Sequence, residues 1–188
     1  MAQDEVTRLR ALHIPAARGV VLEVGVGSGL NLPFYTTAVT RFYGVDRSAE
    51  LLAMARRNAA AAPFPADLLM HDAVQLPFAN AYVDTIVVTW SLCSIANAAG
   101  ALSEMRRVLK PGGALIFVEH GLSSDADVRK WQNRLTPVWR RFAGGCHLNR
   151  KPDDLLRTAG FTIETLRTEY VPGPRPLTFM YEGRARKA

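Results

Sequence analysis

Cysteine is scarce in this chain. Its 188 residues include two, Cys93 and Cys146, too few for a disulfide framework or a cysteine-built zinc site. That scarcity fits a reducing compartment, and a cytoplasmic location is the expectation. Long apolar runs are missing too: none approaches the ~20 residues of a membrane span. Met1 to Arg10 is charged and has no apolar core, so no signal peptide is read. There is no repeat, linker or low-complexity stretch. Acids are absent from Arg129 to Lys151, where Arg129, Lys130, Arg134, Arg140, Arg141, Arg150 and Lys151 stand. Those seven cations exceed the net charge of +6 for the whole chain. Such a segment suits an acidic acceptor, a phosphate or an anionic membrane surface; a solvated helix face is the plainer reading.

What remains is ordinary globular composition, 48% hydrophobic and 21% charged, enough for one buried core. Short apolar runs alternate with amphipathic ones. Val20–Val24, Arg41–Val45, Asp67–Met70, Val83–Thr89 and Ala114–Val118 read as strands. Ala98–Leu109 reads as a helix, with Leu102, Met105, Val108 and Leu109 at helical spacing. Lys110-Pro111-Gly112-Gly113 then forms a turn. Ser48 is placed to cap a helix whose buried stripe is Leu51, Leu52 and Ala55. Asp125–Phe142 reads as a helix with Val128, Trp131, Leu135, Val138 and Phe142 inward, kinked or broken at Pro137. Phe161–Tyr170 and Leu177–Ala185 alternate like a final antiparallel pair. Strands separated by helices predict an α/β fold: a doubly wound, mostly parallel seven-stranded sheet, helices on both faces, the last strand antiparallel.

The first strand ends in Gly25-Val26-Gly27-Ser28-Gly29. A strand, a glycine turn and a helix together make a nucleotide site, because bare backbone approaches the ligand and free N–H groups face it. Asp46 ends the second strand, at the offset where an acid binds ribose hydroxyls. The pattern is not the dinucleotide one, whose last glycine is replaced by Leu30. Glu23 opens the turn, and an acid there suits a cationic sulfonium ligand better than a pyrophosphate.

Glu23–Gly29, Asp46, His71-Asp72-Ala73 with Leu76-Pro77-Phe78, and Leu109–Gly113 resemble, in order, the motifs of class I S-adenosylmethionine-dependent methyltransferases. Thr89–Ser94, Val118-Glu119-His120 and Gly144–Arg150 are similar to the small proteins that include the animal alkyl-thiol methyltransferases. The animal members' N-terminal hydrophobic anchor has no counterpart here. The resemblance implies a Rossmann-like domain over 1–188, with a short N-terminal helix at 1–18 and an acceptor-side insertion at about 121–151. It implies S-adenosylmethionine as cofactor and S-adenosylhomocysteine as product. The implied cofactor residues are Glu23, Gly25, Gly27, Gly29, Asn31, Asp46, Arg47, Asp72, Ala73 and Thr89. A small-molecule acceptor follows: a thiol, an amine lipid or a quinone-like compound, with contact to an anionic membrane surface as a further expectation.

His120 ends the fifth strand, and an imidazole there is the candidate base for a thiol; a histidine that only braces a loop is the competing reading. His147 and Cys146 are read as packing the insertion against the sheet. His120 and His147 lack acids at ligand spacing, so no metal is expected. Leu92 precedes Cys93 where cytosine-carbon methyltransferases carry proline, and Thr89–Leu92 does not match the base-methylating Asn-Pro-Pro-Tyr loop. Both count against nucleic acid. Trp131 is read as core on its helical stripe. Two other functions stay open: an NAD(P)-dependent reductase, disfavoured by Leu30 and the lack of a Tyr-x-x-x-Lys pair, and a non-catalytic module that only binds the cofactor.

Overall fold

Strands β1 (Gly19–Val24), β2 (Val39–Asp46), β3 (Ala66–Met70), β4 (Val83–Thr89), β5 (Leu109–His120), β6 (Phe161–Tyr170) and β7 (Phe179–Lys187) join in one sheet, ordered β3-β2-β1-β4-β5-β7-β6. The computed structural model describes residues 3–187. β1 to β5 run parallel, and β7 enters antiparallel between β5 and β6. This is the doubly wound sheet expected, antiparallel last strand included. The order reverses between β1 and β4, and ligands of such sheets bind outside the strand ends at that point.

The central strands bury both faces, since successive side chains point to opposite sides. Val21, Val87 and Ile116 face one core with Phe42 and Leu52. Leu22, Ile86, Val88, Leu115 and Phe117 face the other, with Leu102, Met105 and Val108. The helices are α1 (Gln3–His13), α2 (Ala49–Ala59), α3 (Ala98–Val108), α4 (Ala126–Phe142) and α5 (Pro152–Thr158); α2 packs on the first core, α3 and α5 on the second. Ser48 caps α2, accepting from the Leu51 N–H at 3.2 Å. No helix among the described residues is long and apolar enough to cross a membrane.

Five local readings are corrected. No α-helix follows the glycine turn; the chain makes a single 3-10 turn, Leu32–Phe34 with Pro33 inside it, before β2 begins. Lys110–Gly113 does not precede β5 but bulges within it: Val83 pairs with Leu109 and Thr85 with Ala114. Leu51 is exposed; Leu52 and Ala55 alone of the three are buried. α4 runs unbroken through Pro137. Pro137 and Asn133 both lie on the exposed side, so the carbonyl freed by the proline is within reach of water.

The fifth correction is the largest. The buried residues of α4 are Val128, Gln132 and Thr136. Gln132 wins the inward position because it satisfies loop backbone that is otherwise cut off from water. Its Oε1 accepts from Ser123 N–H at 2.8 Å, and its Nε2 donates to the carbonyls of Gly121 and Pro176 at 2.9 and 3.1 Å. The apolar stripe therefore faces solvent: Trp131 is 56% exposed and Phe142 84%, with Leu135, Val138 and Trp139 between them.

Candidate cofactor cleft

A cleft of about 750 Å³ opens at the ends of β1, β2 and β4. Gly25, Gly27, Asp46, Arg47, Asp72, Ala73 and Thr89, seven of the ten residues the resemblance implied, line it. Trp90, Ser91, Ser94 to Asn97, and Gly144 line it as well.

Gly25 and Gly27 have φ of +77° and +54°, a region where L side chains are strained. A Cβ on Gly25 would lie 2.1 Å from Ser91 Oγ, whereas one on Gly27 would point into open space. Bare backbone therefore faces the cleft at Gly27. Gly29 instead lies against Ala55 of α2, away from the cleft. The Asp46 carboxylate accepts from the N–H groups of Gly27 and Ser48, both at 2.9 Å. This locks the turn to the end of β2 and leaves free lone pairs for hydroxyl donors. Asp72 accepts from Val74 N–H at 3.1 Å, and Arg47 Nε stands 3.6 Å from its other oxygen.

Glu23 and Asn31 do not line the cleft. They form a buried network behind the turn. Glu23 accepts from Asn31 Nδ2 and from Tyr35 Oη, both at 2.8 Å. Asn31 Nδ2 also donates to Thr89 Oγ1 at 2.9 Å, and its carbonyl accepts from Arg10 Nε at 3.0 Å. Burial pushes the Glu23 carboxyl up to about 8, against the opposing hydrogen bonds of Tyr35 and Asn31. Arg10 and Tyr35 were not singled out in the sequence, because their partners lie in distant segments. Arg10 also stacks over Trp90, 4.9 Å from the ring centroid.

Trp90 holds φ at 49°, a strained value for a bulky residue. Its N–H donates to Val118 at 2.8 Å, and the next two N–H groups, of Ser91 and Leu92, donate to Glu119 Oε1 at 2.8 and 3.0 Å. Burial raises the Glu119 carboxyl to about 7, although those N–H groups oppose the shift. The loop after β4 is fastened from its other side by Arg150. Its guanidinium donates to the carbonyls of Leu92, Ile95 (2.7 Å) and Ala96 (3.5 Å). Arg150 was visible in sequence only as one cation among seven.

His120 does not face the cleft. Its Nε2 stands 2.9 Å from Cys146 Sγ, and the residue is buried. A Cβ on Gly121 would lie 2.6 Å from the Arg150 carbonyl and 2.7 Å from Pro152, so the strand end beside His120 is closely packed. The Cys146 thiol is lowered to about 4, first by its hydrogen bond with Cys93 and then by His120. The same hydrogen bond and burial push Cys93 up. His147 braces the insertion, its backbone N–H donating to the Cys93 carbonyl at 2.8 Å.

Residues 22–117, from β1 into β5, match the family model described as a methyltransferase domain. The chain belongs to that family. Among curated relatives, the rat thiol S-methyltransferase TMT1B is 29% identical over 82% of this chain and 64% of its own length. The human thiol S-methyltransferase TMT1A is 30% identical over 85% of this chain and 66% of its own. A phosphatidylethanolamine N-methyltransferase of Cereibacter sphaeroides is 38% identical over 60% and 56%. This chain thus spans two thirds or less of these relatives' lengths. Two solved structures show the fold alone. A SAM-dependent methyltransferase from Methanosarcina mazei superposes with TM-score 0.69 at 21% identity, covering 89% of this chain and 92% of its own. The [4+2]-cyclase SpnF superposes with TM-score 0.74 at 21% identity over 98% and 80%. S-Adenosylmethionine is the cofactor that this family and this cleft call for. The donor set fits it: bare backbone at Gly27, the carboxylates of Asp46 and Asp72, and, among the described residues that line the cleft, Arg47 rather than a cluster of cations to neutralise a pyrophosphate.

Proposed function

We propose that this methyltransferase-family protein moves the methyl group of S-adenosylmethionine to a small-molecule acceptor, with thiols first, amine lipids second and quinone-like compounds third. The observation that carries it is the pairing of the Gly27–Asp46 cofactor wall with a separate wall at Trp90, Ser94 and Gly144 in one cleft. The relatives' printed activities, on thiols and on phosphatidylethanolamine, set the order of acceptors. The bound cofactor supplies an electrophilic methyl carbon on a sulfonium. Its displacement is in line, so positioning is most of the catalysis. Asp46 would orient the ribose, Asp72 and Ala73 would meet the adenine, and the bare backbone at Gly25–Gly27 would face the cofactor. The strained, triply fastened loop at Trp90–Leu92 holds the acceptor wall still. His120 is not assigned as base on the acceptor, because Cys146 holds its Nε2 outside the cleft.

Incubating the protein with S-adenosylmethionine and an alkyl thiol, a phosphatidylethanolamine or a reduced quinone tests the reading. Mass spectrometry should find S-adenosylhomocysteine and the methylated acceptor in equal amounts. Cofactor binding with no turnover on any acceptor would favour a module that only binds the cofactor. Tight NADH binding instead would favour the reductase.

A second reading concerns delivery. The exposed stripe of α4 is flanked by Arg134, Arg140 and Arg141, none in a salt bridge among the described residues. Apolar and cationic side chains on one exposed helix suit an anionic lipid surface. The helix leads directly to Gly144 on the cleft wall, so an amphiphilic acceptor would arrive beside its site.

A further inference from the structure

We propose that Cys93, His120 and Cys146 bind a zinc ion behind the acceptor wall of the cleft. One ligand atom from each, two sulfurs and a ring nitrogen, lie within 4.8 Å of one another. Two thiols and an imidazole are a donor set that selects zinc over magnesium or calcium, which take oxygen ligands. Around tetrahedral zinc, with metal–sulfur near ~2.3 Å and metal–nitrogen near ~2.0 Å, such atoms sit about 3.5–3.8 Å apart. His120 Nε2 and Cys146 Sγ, now 2.9 Å apart, need to part only slightly to admit the ion.

The three residues come from three places, and each is held independently. His120 ends β5, where it pairs with Met180 of β7. Cys93 lies in the loop that Glu119 and Arg150 fasten from opposite sides. Cys146 donates its N–H to Ala143 at 3.0 Å, and the following residue, His147, donates to the Cys93 carbonyl at 2.8 Å. The two cysteine-bearing loops are thus already joined beside their sulfurs. A prearranged cage of this kind loses little freedom when an ion enters.

The cluster is also shut away from solvent. All three side chains are buried, and it is His120 Nε2 that faces Cys146 Sγ. Besides Cys146, Cys93 Sγ meets the Trp90 carbonyl at 3.6 Å and Ser94 Oγ at 3.5 Å. A disulfide would use the two sulfurs and leave the imidazole without a role. Zinc uses all three, and three protein ligands leave a fourth position open. Ser94 and Gly144, close in sequence to the two cysteines, line the cleft. The ion would therefore tie together the two loops of the acceptor wall. This inference does not depend on which acceptor is methylated.

The test uses the whole chain, purified from zinc-supplemented medium without chelator. Elemental mass spectrometry should find about one zinc per chain, as a three-ligand site holds a single ion. Cobalt(II) added to the chelator-stripped protein should give thiolate-to-cobalt absorption with tetrahedral bands. Cys93→Ser, Cys146→Ser and His120→Ala should each weaken zinc binding by tenfold or more, read by competition with a chromogenic chelator. Should the variants fail to fold, the unmutated chain decides: chelator should lower its melting temperature and zinc should restore it. Absent metal with no cobalt spectrum overturns the proposal. So does a melting temperature indifferent to both chelator and zinc, or an intact mass lower by two hydrogens, which would mark a Cys93–Cys146 disulfide.

Discussion

On the side of the cleft proposed for the cofactor, Gly25, Gly27 and Asp46 come from the ends of two consecutive strands that lie side by side in the sheet. On the side proposed for the acceptor, Trp90, Ser94 and Gly144 come from a loop after β4 and from the segment just past α4. The first wall is held by its own backbone: Asp46 accepts from the turn it faces. The second is held by side chains from elsewhere, chiefly Glu119 and Arg150. A wall made of neighbouring strand ends is written as a spaced motif. A wall clamped by distant carboxylate and guanidinium groups leaves no such pattern, and its acceptor chemistry is correspondingly harder to read.

Breaking the cofactor wall should have the largest effect. Charge-assisted hydrogen bonds are worth ~1.5–3 kcal/mol each, and Asp46 is proposed to accept from both ribose hydroxyls. Asp46→Ala should weaken S-adenosylhomocysteine binding by more than tenfold in calorimetry, with circular dichroism checking the fold. Unchanged affinity would remove Asp46 from the cofactor site.

Glu23, beneath the same wall, sharpens the comparison through pH. Its folded carboxyl is raised from 4.5 to about 8 by burial, with Tyr35, Asn31, Arg10 and Asp46 around it. Between those values the folded chain holds a proton that the unfolded chain has lost, so its contribution to stability falls as pH rises. Relative to Glu23→Gln, the cofactor-free parent should lose a few kcal/mol from pH 4.5 to 8, at ~1.4 kcal/mol per pKa unit, and no more above. Parallel stability–pH curves for the two proteins would show that Glu23 titrates normally.

Loosening the acceptor wall comes next. Arg150→Ala removes the cation that binds three carbonyls of the loop after β4. Urea unfolding should lose about 2 kcal/mol, in the range for hydrogen bonds to a charged group. Cofactor binding should change less than in Asp46→Ala. An equal loss of cofactor affinity would mean that the two walls are coupled rather than separately built.

The smallest effect belongs to the surface of α4. Arg140→Gln with Arg141→Gln should lower binding to phosphatidylserine-containing vesicles, at ~1 kcal/mol per cation near the surface. Salt should shrink the difference. Equal binding by both proteins, or none by either, would return these arginines to a solvated face.

The class of fold was legible because parallel strands buried on both faces read as short apolar runs, and Ser48 capped α2 where its spacing implied. The glycine turn and Asp46 were legible because backbone chemistry demands those residue types. Other features were decided by competition among distant groups. Periodicity placed Trp131 in the core, yet Gln132 took the inward face because buried carbonyls and an N–H at Gly121, Pro176 and Ser123 needed partners. His120 ends β5 as its position in the sequence implied, but its Nε2 faces Cys146 Sγ, a partner brought from a distant loop.

The sequence by itself determined the strand–helix alternation, the cofactor turn and the acid that completes it, since each depends on neighbours in the chain or on residue type alone. Only the tertiary structure decided that Cys93, His120 and Cys146 share one buried point, and that the stripe of α4 faces outward. Both follow from which long-range backbone groups must be satisfied, and no local spacing carries that information.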